Sequence, residues 1–265
     1  MATISKKVID RITANLKIFQ AIAESQRVRD VSEADTVTLV KDILSACFGY
    51  DKYAELTSEY QIRNTYCDLA VKIDGQVKYL IEVKAAGVSL SDSHLRQAVE
   101  YGAREGIAWV VLTNAVEWRL HRVKFGDVLD HEEVSSFTFT TVSAKNPDDI
   151  KRMFLLCREG LSTDAMSEFH EHAQMLNRFT VAQVVLMDGV VASIRKEMRR
   201  IFPDLKINPE AIIEILRNDV LKRDIIESEK FAEAQNKIKK LVAKQNRALE
   251  KAGAKAVVSG DITKA

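Results

Sequence analysis

The chain has 265 residues, 46% of them apolar and 29% charged, with a net charge of +1, values ordinary for a globular protein. That length holds one large domain or two small ones, and the near-neutral balance confines any polyanion-binding surface to a local patch. Three widely spaced cysteines with no CxxC pair predict neither a disulfide framework nor a structural zinc site. No apolar signal core opens the chain and no run reaches transmembrane length, so a cytoplasmic protein without membrane contact is expected.

Residues 4–28 predict an amphipathic helix, with Val8, Ile12, Leu16, Phe19 and Ile22 at three- and four-residue spacing. Ser32 fits an N-cap for a second helix ending near Cys47. The texture then changes. "LTSEYQI", "YCDLAVKI", "VKYLIEV", "IAWVVLT" and "VEWRLHRV" are short runs rich in β-branched and aromatic residues, hence strands. One helix, about 90–105, interrupts them, and "SSFTFTTV" predicts a last strand near residue 142. After Asn146-Pro147 the pattern is helical, over about 147–159, 163–178, 180–200, 209–226 and 227–250. The expected organisation is a mixed α/β domain over 1–144, a helical accessory region over 145–250 and a flexible tail over 251–265.

The strand "YLIEVK" places Glu82 and Lys84 inside an otherwise apolar run. Asp74-Gly75 marks a hairpin turn before it. A two-residue loop would set Ile73 opposite Gln76 and split the apolar residues between two faces. A three-residue loop, with Gly75 at positive φ, puts Leu69, Val71, Ile73, Val77, Tyr79, Ile81 and Val83 on one face. Burial therefore favours the three-residue loop. The same choice gathers Asp68, Glu82 and Lys84 on the other face.

Two carboxylates and a lysine have a chemical use. Hard oxygen ligands suit Mg²⁺ (or Mn²⁺), which polarises a phosphodiester and activates water. A neighbouring ammonium orients that water and offsets charge on phosphate. A lone E-x-K arises by chance roughly once or twice in so charged a chain, and by itself it is better explained by a solvated strand face. The Asp one strand earlier, the hairpin between and the acidic helix start before them form a joint pattern that a solvated face does not require.

That pattern resembles the PD-(D/E)xK nuclease superfamily. Asp68 followed by Glu82-Val83-Lys84 matches its core motif, most like the N-terminal nuclease domain of type I restriction enzyme R subunits and its stand-alone relatives. "SEADT" at 32–36 resembles the first-helix motif, "QAVEY" at 97–101 the Q-x-x-x-Y motif, and "WVVLTNAVEWRLHRV" the strand–turn–strand that follows. The glycine usual after "TN" is Ala115 here. The resemblance covers about residues 30–125 and implies a restriction-endonuclease-like mixed sheet flanked by helices. It implies a cytoplasmic restriction-type endonuclease that hydrolyses DNA, with RNA not excluded. Asp68 and Glu82 would bind the metal, Lys84 would position water, Glu33 would support the site, and Gln97 and Tyr101 would contact the site or the substrate backbone. The chain has no G-x-x-x-x-G-K-[ST], so no ATP-driven motor is expected. The alternative is a non-cleaving nucleic-acid-binding or protein-interaction module that keeps the nuclease fold.

Two other features stand out. His170 and His172 are two apart, which on a helix points them away from each other and makes them poor joint ligands. Residues 230–255 hold eight Lys/Arg against two Glu, with Phe231, Ala234, Ile238, Leu241 and Ala248 in an approximate a/d rhythm. That helix fits a DNA-following arm, a homo-oligomer contact or a solvated terminal helix. Trp109 and Trp118 are expected in the core.

Overall fold

The computed structural model describes residues 3–62, 65–126 and 129–260. They fall into two compact units, Met1–His170 and Glu171–Ala265.

In the first unit, α1 (Lys6–Arg29) and α2 (Glu33–Ala46) precede three strands, β1 (Leu56–Ile62), β2 (Thr65–Ile73) and β3 (Gln76–Val83). Then come α3 (Asp92–Glu105), β4 (Trp109–Thr113), β5 (Glu117–Lys124), β6 (Asp130–Thr138), α4 (Pro147–Leu155) and α5 (Arg158–Ser162). The six strands form one mixed sheet in sequence order. Only β3 and β4 run parallel. A parallel pair needs a crossover, and α3 supplies it. The protein is therefore mixed α/β, as the alternation of strand and helix patterns predicts.

Strand alternation gives the sheet two buried faces. Leu69, Val71, Tyr79, Ile81, Val83, Val111 and Trp118 pack with Ile12 and Leu16 of α1 and Leu39, Ile43 and Leu44 of α2. Ala70, Leu80, Val110 and Leu112 pack with Leu95, Ala98, Val99 and Tyr101 of α3. Each such aliphatic side chain contributes roughly 1.5–3 kcal/mol by leaving water. Trp118 and Trp109 are both core residues, and Trp118 stands edge-on to Phe48 at 5.5 Å.

The hairpin differs from expectation in its turn and in the face of Val77, which pairs with Lys72 and packs on the α3 side. Ile73 pairs with Gln76, so the loop is the two residues Asp74 and Gly75, both at positive φ (52° and 76°), as a type I′ turn requires. The register then shifts: Val71 pairs with Tyr79 and Lys72 with Val77, leaving Lys78 as a bulge. That extra residue returns Tyr79, Ile81 and Val83 to the face of Leu69 and Val71. Burial set the faces, and a bulge rather than a longer loop met the demand.

The first unit runs on to His170, past the expected boundary at residue 144. Asn146 caps α4, Pro147 opens it, and Ile150, Met153, Phe154 and Leu155 join the core on the α1 side. The change from strand to helix at Asn146-Pro147 is thus a change of element within one core. β6 starts earlier than expected, at Asp130, and ends at Thr138, where the Thr141 and Val142 N–H groups turn back onto the Thr138 carbonyl. Its charged start, "DHEEV", hides a strand that lies at the sheet edge, where charge is tolerated. Ala115 takes the left-handed conformation, φ 68°, which glycine adopts more readily. Thr113 Oγ1 accepts its N–H, and Asn114 Oδ1 accepts those of Val116 and Glu117.

A helix α6 (Ala165–Met175) contains the division between the units. The second unit is helical: α7 (Arg178–Val185), α8 (Asp188–Ile201), α9 (Pro209–Ile215), α10 (Arg223–Ile226) and α11 (Glu229–Gly260), with a π-helical turn at Leu216–Val220. The long helices expected over 180–200 and 209–226 are broken, by an extended backbone at Met187 and again at Leu221. α11 carries helical backbone through Gly260, into the span expected as a tail, and residues 261–265 lie outside the described residues. Its apolar stripe is buried at Phe231 and Ala234 and emerges at Leu241, 43% exposed; the Ala248 side chain lies outside those described. No helix among the described residues is long and apolar enough to cross a membrane.

Candidate active site

The charged cluster forms where β3 ends. Its alternation sends Ile81 and Val83 into the α1/α2 layer, which leaves Glu82 on the opposite side. Glu82 is only 6% exposed. The Lys84 ammonium donates to Glu82 Oε1 at 2.7 Å and lies 3.4 Å from Glu33 Oε2. Glu33 comes from the first turn of α2, behind the Ser32 cap that accepts the Asp35 N–H. Asp68 faces the end of β3 from β2, and its Oδ2 accepts the Val83 N–H at 2.7 Å. Three segments far apart in sequence thus meet at one strand end.

The electrostatics record the crowding. Burial, then the charge of Asp68, push the Glu82 carboxyl up to about 7, against the opposing pull of Lys84. Burial also raises Asp68, although the Val83 N–H and Lys84 hold it back. Burial alone would lower Lys84, but the Glu82 hydrogen bond and the carboxylates of Glu82, Glu33 and Asp68 outweigh it and its pKa is raised. Lys84 is therefore an ammonium at neutral pH. Cys67 beside the cluster stays a thiol, pushed up to about 12 chiefly by burial, and so is no nucleophile.

Among the described residues no three His, Cys, Asp or Glu side chains stand close enough to hold a metal ion. A cation here would rest on Asp68 and Glu82, with water or substrate oxygens completing its shell. Mg²⁺ suits that donor set, because it keeps several waters and commonly binds through one or two carboxylates plus phosphate. Three carboxylates around one ammonium also leave negative charge for a cation to balance.

Gln97 and Tyr101 meet as neighbours one turn apart on α3: the Gln97 amide donates to the Tyr101 hydroxyl and, at 3.3 Å, to the Tyr66 carbonyl on β2. Tyr101 is 2% exposed. The pair ties α3 to the strand that carries Asp68. The six candidate residues thus divide into a charged cluster of four and this neutral pair.

One contributor has no sequence signal beyond a threonine on an apolar helix face. Thr36 is fully buried; its hydroxyl donates to the Ser32 carbonyl and accepts the Ala86 N–H at 3.1 Å. It fastens the α2 start, and with it Glu33, to the segment just beyond Lys84. His170 packs edge-on to Trp109 at 6.1 Å.

Comparison of the chain with protein-family models, curated proteins and solved structures found no match.

Proposed function

We propose that the protein is a metal-dependent nuclease that hydrolyses phosphodiester bonds in DNA, with a restriction-endonuclease-like catalytic unit. The observation that carries this reading is the convergence of Asp68, Glu82 and Lys84, with Glu33, at the end of β3. The resemblance to the PD-(D/E)xK motifs assigns the same residues from sequence.

Asp68 and Glu82 would hold a divalent ion such as Mg²⁺, which when bound polarises the phosphate and activates water. Glu82 needs its proton removed to serve as ligand, and its elevated pKa makes that step complete only above about 7 in the free protein. In the metal-free protein the carboxylates around Lys84 raise its pKa, which favours a positioning role over that of a base. Its N–H groups orient water and offset charge that builds on the attacked phosphate. Glu33 holds the ammonium from the second side, and Thr36 keeps Glu33 in place.

The test is incubation of the purified chain with supercoiled, linear and single-stranded DNA, with Mg²⁺, Mn²⁺ or EDTA. Expected is cleavage that needs the metal and is lost in Glu82→Gln. Metal-dependent binding without cleavage on every substrate would favour the non-cleaving module instead.

A further inference from the structure

His121 on β5 is 2% exposed, yet among the described residues neither of its ring nitrogens meets a donor or acceptor. A neutral imidazole carries one N–H donor and one lone-pair acceptor, and leaving both buried and unmet is costly. The neighbouring ring is His131 on β6, with centroids 5.3 Å apart and planes inclined by 61°. A register shift beside Leu120 produces this pairing. Leu120 opposes Ser135 but His121 opposes Glu133, which makes His131 the diagonal neighbour of His121.

The spacing has a chemical meaning. With metal–nitrogen bonds of about 2.0–2.1 Å and tetrahedral angles, two imidazoles on one ion put their ring centroids roughly 5 Å apart. We propose that His121 and His131 form a second metal site, selective for a borderline transition ion such as Zn²⁺, Co²⁺ or Ni²⁺, which bridges β5 to the edge strand β6. Water completes the coordination, since no third His, Cys, Asp or Glu among the described residues is within reach. His121 also feels the charges of Asp92 from α3 and Arg119 from its own strand. A neutral imidazole offers one lone pair to a metal while its other nitrogen keeps the proton. Imidazole ligands discriminate against Mg²⁺, so the two sites take different ions.

The inference is independent of the proposed nuclease activity and is tested without it. An untagged full-length chain carrying Asp68→Asn and Glu82→Gln, which disables the carboxylate site, is titrated with Co²⁺ and followed by visible absorption. Melting is then measured with and without Zn²⁺. Expected is one ion per chain, a melting temperature raised by Zn²⁺ but not by Mg²⁺, and affinity reduced at least tenfold by His131→Ala. His121→Phe keeps a planar aromatic ring, slightly larger than imidazole, and removes both unmet nitrogens. It should melt no lower than its parent without metal and gain nothing from Zn²⁺. The proposal is overturned by absent Co²⁺ binding, or by binding that folded His131→Ala and His121→Phe chains retain undiminished.

Discussion

The two units bury their residues differently and carry opposite charge. The first has apolar layers on both faces of a six-stranded sheet. In the second, the described side chains that are buried are Ala182, Gln183, Val191, Ile212, Phe231 and Ala234. The first holds 21 Lys/Arg against 25 Asp/Glu, the second 18 against 13, so net charges of −4 and +5 compose the chain's +1. The contrast teaches where each kind of chemistry can reside. Keeping Glu82 buried beside Asp68 opposes their desolvation and repulsion, and only a rigid, densely packed frame sustains that. Attraction of a polyanion needs no such frame; exposed ammonium groups on a helix suffice.

The largest expected effect tests whether chemistry is confined to the first unit. Lys84→Ala, Glu82→Gln and Asp68→Asn should each lower metal-dependent cleavage by roughly 10³-fold or more, about 4 kcal/mol of transition-state stabilisation. Asp68→Asn is a better probe than Asp68→Ala, because the amide oxygen still accepts the Val83 N–H. Calorimetric Mg²⁺ titration should show weakened binding for the two acidic variants and near-normal binding for Lys84→Ala. Undiminished cleavage by purified Glu82→Gln would falsify the assignment.

Packing provides the next test. Ile81 is wholly buried in the larger core, whereas Leu241 on α11 is 43% exposed. Ile81→Ala should cost about 2–5 kcal/mol, as a cavity in a close-packed interior does. Leu241→Ala should change stability by about 0.5 kcal/mol or less. Denaturant melts of both variants measure the difference, and a large loss at Leu241 would show a partner covering that stripe.

The same contrast decides what the sequence discloses. In the first unit, period-two alternation and a glycine turn locate the hairpin faces and the cluster of Asp68, Glu82 and Lys84, because burial admits one arrangement. The turn length is not legible, since a three-residue loop and a two-residue loop with a bulge at Lys78 both keep Tyr79, Ile81 and Val83 on the face of Leu69 and Val71, and differ in the face of Val77. Nor is the partnership of Thr36 with the Ala86 N–H, a contact between distant segments that leaves no periodic trace. In the second unit, with little buried surface, apolar spacing continues through Met187 and Leu221 although the helix does not. Met187 is neither proline nor glycine, and the turn signal at that break is the Asp188-Gly189 pair just after it.

A smaller effect concerns pH. The Glu82 carboxyl is raised from 4.5 to about 7 by burial and by Asp68. The folded state therefore keeps a proton that the unfolded chain has lost between those values. Its contribution makes the metal-free protein less stable as pH rises from about 4.5 through 7, and constant above. Glu82→Gln should remove that slope and exceed wild type at pH 8 in EDTA by on the order of 1–3 kcal/mol. Mg²⁺ should narrow the gap at pH 8, because it binds the charged form. Melts at pH 5 and 8, with EDTA and with Mg²⁺, supply the four values; a wild-type slope of the opposite sign contradicts the crowding inferred for the cluster.

The smallest expected effect lies in the second unit. Lys239, Lys240 and Lys244 are exposed on α11, and if the proposed DNA binding holds, the positive charge of this unit favours phosphate contacts there. Each contact releases counterions, so the logarithm of affinity should fall with the logarithm of salt by about 0.9 per phosphate on duplex DNA. Changing all three lysines to glutamine in the cleavage-dead Glu82→Gln background should weaken binding at low salt and flatten that slope by up to about 3. Stability should scarcely change, since exposed side chains away from caps and packed faces contribute about 0.5 kcal/mol or less. Fluorescence anisotropy of a labelled duplex across a salt series measures both quantities. An unaltered slope would move the phosphate contacts off this stretch of α11 and leave its cations as solvated surface. A flattened slope with a normal melting temperature would assign polyanion binding to the second unit, whose exposed cations need no densely packed frame to attract phosphate.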